Sequence, residues 1–218
     1  MPVRVSLTLA LALLLTACTP SSNSNSNSAG TPGGSPATFN INQSLADQRV
    51  TPPNTPAGQC PPGSFDLTGQ RVTGTGTPTL GDMGPTRDLA DGLQVVSLVV
   101  PDGRYTATIQ PLDLSCNRGV APPPPPLGTA VVTFAMTHRS QVDRSNPSGV
   151  CVFRSQLTFS SFVVTGVQPL DDAIQMAVKS SIHKTVDFEV ANAMNRFVNG
   201  SPLPANAAGR CNDWQLLP

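Results

Sequence analysis

The sequence predicts an α+β fold: an antiparallel β-meander of about four to five strands with one C-terminal amphipathic helix packed on it. Three observations predict it. First, Thr, Val, Ser, Gly and Pro are plentiful, whereas Glu189 is the only Glu and Lys179 and Lys184 the only Lys. That mix suits strands and turns better than a helical bundle. Second, several stretches between residues 64 and 165 are apolar or alternate apolar with polar residues, and short turn-rich links join them. Third, Asp171-Asp172 precedes apolar residues recurring at i+4, namely Ile174, Val178, Ile182 and Val186.

The elements follow in chain order. Ser64 to Thr75 holds weak strand signals at Phe65-Asp66-Leu67 and Arg71-Val72-Thr73, and Gly74 to Pro78 reads as a loop. Leu93 to Val100 is apolar on both faces. Asp102-Gly103 is a two-residue hairpin signal, and Arg104 to Leu114 returns with Tyr105, Ala107 and Ile109 in phase. Pro122 to Pro126 is a stiff connector, because proline fixes φ and cannot donate to a ladder. Thr129 to His138 places Val132, Phe134 and Met136 on one face. Asn146-Pro147-Ser148-Gly149 is a turn. Val150 to Thr165 follows, with Cys151, Phe153, Leu157, Phe159 and Val163 expected on one side. The helix runs to the stop at Asn199-Gly200. Within it Thr185 to Val190 alternates like a strand, and the longer 3.6-residue period favours helix.

The chain divides into three parts. Residues 1–17 have the form of a signal peptide. Arg4 supplies the positive start, and Val5 to Leu15 is an apolar run of eleven residues, too short to span a bilayer. Residues 18–58 are rich in Ser, Asn, Gly and Pro and read as a disordered tether of roughly 35 Å root-mean-square span as a coil. Residues 59–218 form the folded domain. Leu15-Thr16-Ala17-Cys18 resembles the lipobox of bacterial lipoproteins. That resemblance implies cleavage before Cys18, a diacylglycerol on its sulfur and anchorage in a membrane. Thr19, rather than Asp, after the cysteine resembles the outer-membrane pattern if the host is diderm.

Setting Cys18 aside leaves Cys60, Cys116, Cys151 and Cys211, an even set in an exported chain and so two disulfides. In an up-and-down meander Cys116 closes the second strand at one pole and Cys151 opens the fourth at the other. These two should not pair. The helix returns the chain toward Cys151, which predicts Cys151–Cys211 and Cys60–Cys116.

Charge is balanced, with 13 basic and 13 acidic residues, so a nucleic-acid footprint and a polybasic membrane patch are not expected. Catalytic signals are sparse. His138 and His183 lie in no metal-binding motif and read as strand-end and helix-surface residues. Neither a G-x-S-x-G elbow nor a phosphate loop occurs. Glu189 belongs to no paired-carboxylate motif, and the acids from Asp82 to Asp91 do not match a calcium loop. No cofactor and no metal are expected. The expectation is a non-catalytic envelope protein, anchored by lipid on Cys18, that contacts other envelope components. The alternative is a small-molecule or lipid binder whose pocket lies between helix and sheet, lined by aromatics such as Phe153, Phe159, Phe197 and Trp214. An enzyme with an unrecognised site ranks third.

Overall fold

The computed structural model describes residues 38–81, 93–112, 116, 126–167 and 172–217. The leader with Cys18, the acids from Asp82 to Asp91 and residues 117–125 of the proline-rich link lie outside the described residues. Among the described residues seven strands build one sheet: β1 (Phe39–Ser44), β2 (Gln48–Val50), β3 (Phe65–Gly81), β4 (Leu93–Pro111), β5 (Gly128–Asp143), β6 (Cys151–Thr165) and β7 (Arg210–Leu216). The single helix among the described residues, α1 (Asp172–Asn199), connects β6 to β7. The sheet order is β1-β3-β4-β5-β6-β7, with β2 pairing β3 beyond the end of β1. Among these described strands only β6 and β7 are parallel, and α1 provides the crossover that a parallel pair requires.

The mixed α+β class agrees with the sequence, but the strands are more numerous and longer than expected. Two corrections explain this. The expected hairpin at Asp102-Gly103 does not form. Leu93–Pro111 is one strand, and its register against β5 shifts between Val100 and Gly103. Pro101 and Asp102 occupy this bulge, where proline's missing donor costs nothing. The bulge also reverses the inward phase: Val96, Leu98 and Val100 are buried before it, and Tyr105, Ala107 and Ile109 after it. Likewise, Gly74 to Pro78 is not a loop. Gly74, Thr75 and Gly76 pair with Ile41, Asn40 and Phe39 of β1, and Thr77 onward pairs with β4. The missing partner was β1, which lies in the stretch read as tether. The sheet therefore extends back to Phe39, into the range 18–58.

In β6 the simple alternation also fails. Register shifts near Val152 and near Ser160 change its phase twice, so Val163 faces solvent instead of joining Leu157 and Phe159. The helix conflict at Thr185 to Val190 resolves as helix. Gly200 caps it with φ of 68°, and its N–H bonds the Arg196 carbonyl at 2.9 Å.

The sheet curls around α1. At one edge Ser181 donates to Gln48 of β2 at 2.8 Å, and Gln43 of β1 donates to Glu189. At the other edge Arg210 of β7 reaches Asp187. Between them Leu98, Tyr105, Met136, Ile182 and Val186 fill the core. Each side chain of that size contributes about 1.5–3 kcal/mol through burial. Disulfides staple both poles. Cys60 bonds Cys116 with Cα atoms 5.2 Å apart, and Cys151 bonds Cys211 at 5.1 Å.

Candidate functional site

The most concentrated polar chemistry among the described residues lies inside the fold, around Asp187. This residue sits on the concave-facing side of α1 with no side-chain exposure. Its Oδ1 accepts from His138 Nε2 of β5 at 2.7 Å. Its Oδ2 accepts from Arg210 Nε of β7 at 2.7 Å and from Ser155 Oγ of β6 at 3.1 Å. His183, one helical turn earlier, places Nε2 3.7 Å from the same oxygen and 2.9 Å from Ser155 Oγ. Trp214 Nε1 donates to Ser155 Oγ at 3.0 Å, and its ring lies 3.8 Å beneath the Arg210 guanidinium carbon. One carboxylate thus joins β5, β6, β7 and α1.

The electrostatics follow from that placement. Burial alone would raise the Asp187 pKa. The His138 hydrogen bond, with the charges of His138, His183 and Arg210, outweighs it and holds the carboxyl below its ordinary value. Burial pushes His183 down to about 4, against the attraction of Asp187, with His138 and Arg210 adding to the depression. His183 is therefore a neutral imidazole near pH 7.

This arrangement overturns the expectation for both histidines. His138 is fully buried, because β5 continues five residues past it to Asp143. His183 is only 13 % exposed at its side chain. A signal for His138 was present in the sequence: it falls in phase with Val132, Phe134 and Met136. His183 and Asp187 are i, i+4 neighbours, which share a helix face. The contributions of Ser155 and Arg210 carried no such signal, since a bulge precedes Ser155 and Arg210 arrives by the crossover.

The chemistry available to the cluster is limited by its geometry. Ser155, His183 and Asp187 have the composition of a nucleophilic triad. However, the serine and the carboxylate both face Nε2 of His183, whereas proton relay needs them on opposite ring nitrogens. Ser155 is also fully buried. His138, His183 and Asp187 could hold a metal ion, since their ligand atoms lie within 4.8 Å of one another. Against that, Arg210 already neutralises Asp187. In addition, among the described residues His138 Nδ1 has no hydrogen-bond partner, whereas a metal-bound histidine normally donates its second N–H. The donor set fits an internal ion network better than a metal centre.

A second buried acid, Glu189, contacts Gln43, and its pKa is raised by burial against the lowering effects of Gln43, Arg196 and Asn192. Tyr105 donates to Gln70 Oε1 at 2.9 Å, and burial pushes its phenol above the ordinary value. Phe159, Phe197 and Trp214 pack against the core rather than lining an open pocket. A recess of 230 Å³, lined by Val95, Arg139, Ser140, Gln141, Gln156 and Leu217, opens on the sheet face away from the helix. Compared with known proteins, the chain matches no family model, no curated protein and no solved structure.

Proposed function

We propose that this protein is a lipid-anchored component of the cell envelope with a non-catalytic structural or interaction role. The observation that carries the reading is the position of Cys18, directly after Leu15-Thr16-Ala17 at the end of an eleven-residue apolar run. Two disulfides support an exported, oxidising setting. Among the described residues no helix is long and apolar enough to cross a membrane. The polar cluster supports the non-catalytic part, because its hydrogen bonds are spent joining strands to the helix.

In a diderm host the anchor is placed in the outer membrane, following the residue after Cys18. Mass spectrometry of the mature N terminus is the direct test. The expected product begins at a diacylglycerol-modified Cys18, and Cys18→Ala shifts the protein in membrane fractionation. An unmodified N terminus would overturn the anchor.

The small-molecule reading has less support. The space between helix and sheet is occupied by core side chains, and the recess lies on the opposite face. Native mass spectrometry of gently purified protein separates the two readings: a co-purifying lipid or metabolite would favour the binder.

A further inference from the structure

We infer that the sheet face turned away from α1 is a docking surface for an extended anionic glycan, a sugar polymer carrying carboxylate or phosphate groups. This partner is read from the sheet face alone, so glycan binding and the lipid on Cys18 can fail separately.

Four arginines stand on this face. Val72, Tyr105, His138 and Ser155 are fully buried on the helix side, and side chains alternate along a strand. Arg71, Arg104, Arg139 and Arg154, each adjacent to one of these, therefore point outward; the first three are exposed and Arg154 is half-buried. The register sets them in two pairs. Arg71 lies opposite Thr106 and Arg104 opposite Thr73, so the two arginines are diagonal neighbours on β3 and β4. Arg139 lies opposite Gln156 and Arg154 opposite Gln141, the same diagonal on β5 and β6. Diagonal Cα atoms are about 7–8 Å apart, within reach of long side chains. Arg104 faces Thr133, and Arg139 is six residues farther along β5, about 20 Å at the rise of a strand. Among the described residues no carboxylate is ion-paired with any of the four. Asn42 Oδ1 accepts from Arg71 Nε at 3.1 Å and Nη2 at 2.6 Å, which orients the guanidinium without cancelling its charge. Arg154 lies 5.1 Å over the Phe153 ring, again a neutral contact. Asp102, in the β4 bulge, accepts the Thr75 N–H. Asp66 beside Arg49 and Asp143 beside Ser145 stand at the two ends of the face, and Asp213 is on β7.

Like charges set side by side on a sheet are unfavourable, and an anion laid across them reverses the sign. Arginine's planar fork fits carboxylate and phosphate bidentately. A small anion meets one pair; an extended polyanion meets both. The ground between the pairs is neutral and hydroxyl-bearing, with a cross-sheet row Thr77–Val99–Thr137–Thr158. Its hydroxyls exchange hydrogen bonds with a sugar chain, and Val99, 50 % exposed, offers an apolar spot to the C–H face of a ring. A recess of 230 Å³ with Arg139 and Gln141 in its wall opens at the second pair and suits a pendant group. A DNA duplex, with one charge per about 1.7 Å, calls for a continuous basic stripe instead of two separated pairs.

Calorimetric titration of the full chain in detergent with polygalacturonate, phosphomannan and uncharged dextran tests this. The expected result is binding of at least one of the two polyanions and none of dextran. Galacturonate monomer should bind at least about 100-fold more weakly than the polymer, because only the polymer bridges both pairs. Arg104→Gln and Arg139→Gln, changes at exposed sites that leave the core intact, should each lower the affinity roughly tenfold. Lys184→Gln, the same charge change at an exposed site on the helix, should leave it unaltered. Full affinity in either arginine variant, an equal loss in Lys184→Gln, equal binding of the monomer, or no binding of either polyanion would overturn the surface. So would arginine-dependent binding of phosphatidylglycerol vesicles or single-stranded DNA with the glycans left unbound.

Discussion

At the residue scale, Asp187 decides most. A buried carboxylate is tolerated only when its charge is matched and its oxygens are hydrogen-bonded, and here Arg210 supplies the counter-charge while His138 and Ser155 add hydrogen bonds. Asp187→Asn keeps the shape and removes the charge, leaving Arg210 half-buried against Trp214 without its counter-ion. The expected cost is about 3–5 kcal/mol, read from the denaturant midpoint at neutral pH. His183 makes stability depend on pH. Its folded pKa of about 4 lies below the ordinary 6.5, so the unfolded chain takes up the proton first. Its contribution is intact above pH 6.5 and is lost progressively as pH falls toward 4. The slope reaches at most about 1.4 kcal/mol per pH unit. Asp187, also depressed, adds its own loss at lower pH still, as the carboxylate is protonated. In a series of unfolding curves from pH 7 to 4, His183→Gln should flatten the upper part of this decline. A variant that follows the parent slope would remove His183 from the account.

At the element scale, the bulge in β4 is the informative feature. Gly103 is buried in mid-strand with the Phe134 ring directly over it, so a Cβ there would enter the ring. The glycine serves close packing of an aromatic across the β4–β5 pair, the use of strand glycine that aromatic cover compensates. Gly103→Ala must displace Phe134 and its edge-to-face partner Phe159, whose ring centroids lie 5.8 Å apart. Overpacking of this kind costs about 1–3 kcal/mol, and thermal denaturation of the single variant measures it. Asp102 beside it accepts from the Thr75 N–H at 2.8 Å, which ties the bulge to β3. The same Asp-Gly pair that signals a turn in isolation is here a device for bending one long strand.

At the scale of the whole molecule, the curled sheet needs both ends held. The Cys60–Cys116 bond closes 56 residues and the Cys151–Cys211 bond 60, one at each pole. Loop-closure entropy over such spans makes each worth about 2–5 kcal/mol. Replacing Cys151 and Cys211 together by Ala should cost that much and preferentially expose β7. Hydrogen exchange checks this: protection should fall first in Arg210–Leu216, while β3 to β5 keep theirs. The pairing argument from strand alternation survives the loss of the expected hairpin. Merging residues 93–111 into one strand changes what precedes Cys116, not the opposition of its pole to that of Cys151.

By itself the sequence determined the mixed α+β class, the helix with its stop at Gly200, the inward phase of Val132 to His138 and the four-cysteine set. These depend on local period, capping and composition, which a short window contains. The tertiary structure alone decided that β1 and β2 complete the sheet, that bulges reverse the phase of β4 and β6, and that His138, Ser155, His183, Asp187 and Arg210 converge. Those outcomes depend on partners far apart in the chain, such as Gln43 and Glu189, separated by 146 residues. A buried polar residue reads as unfavourable until the group that satisfies it has been brought beside it, and only the fold does that.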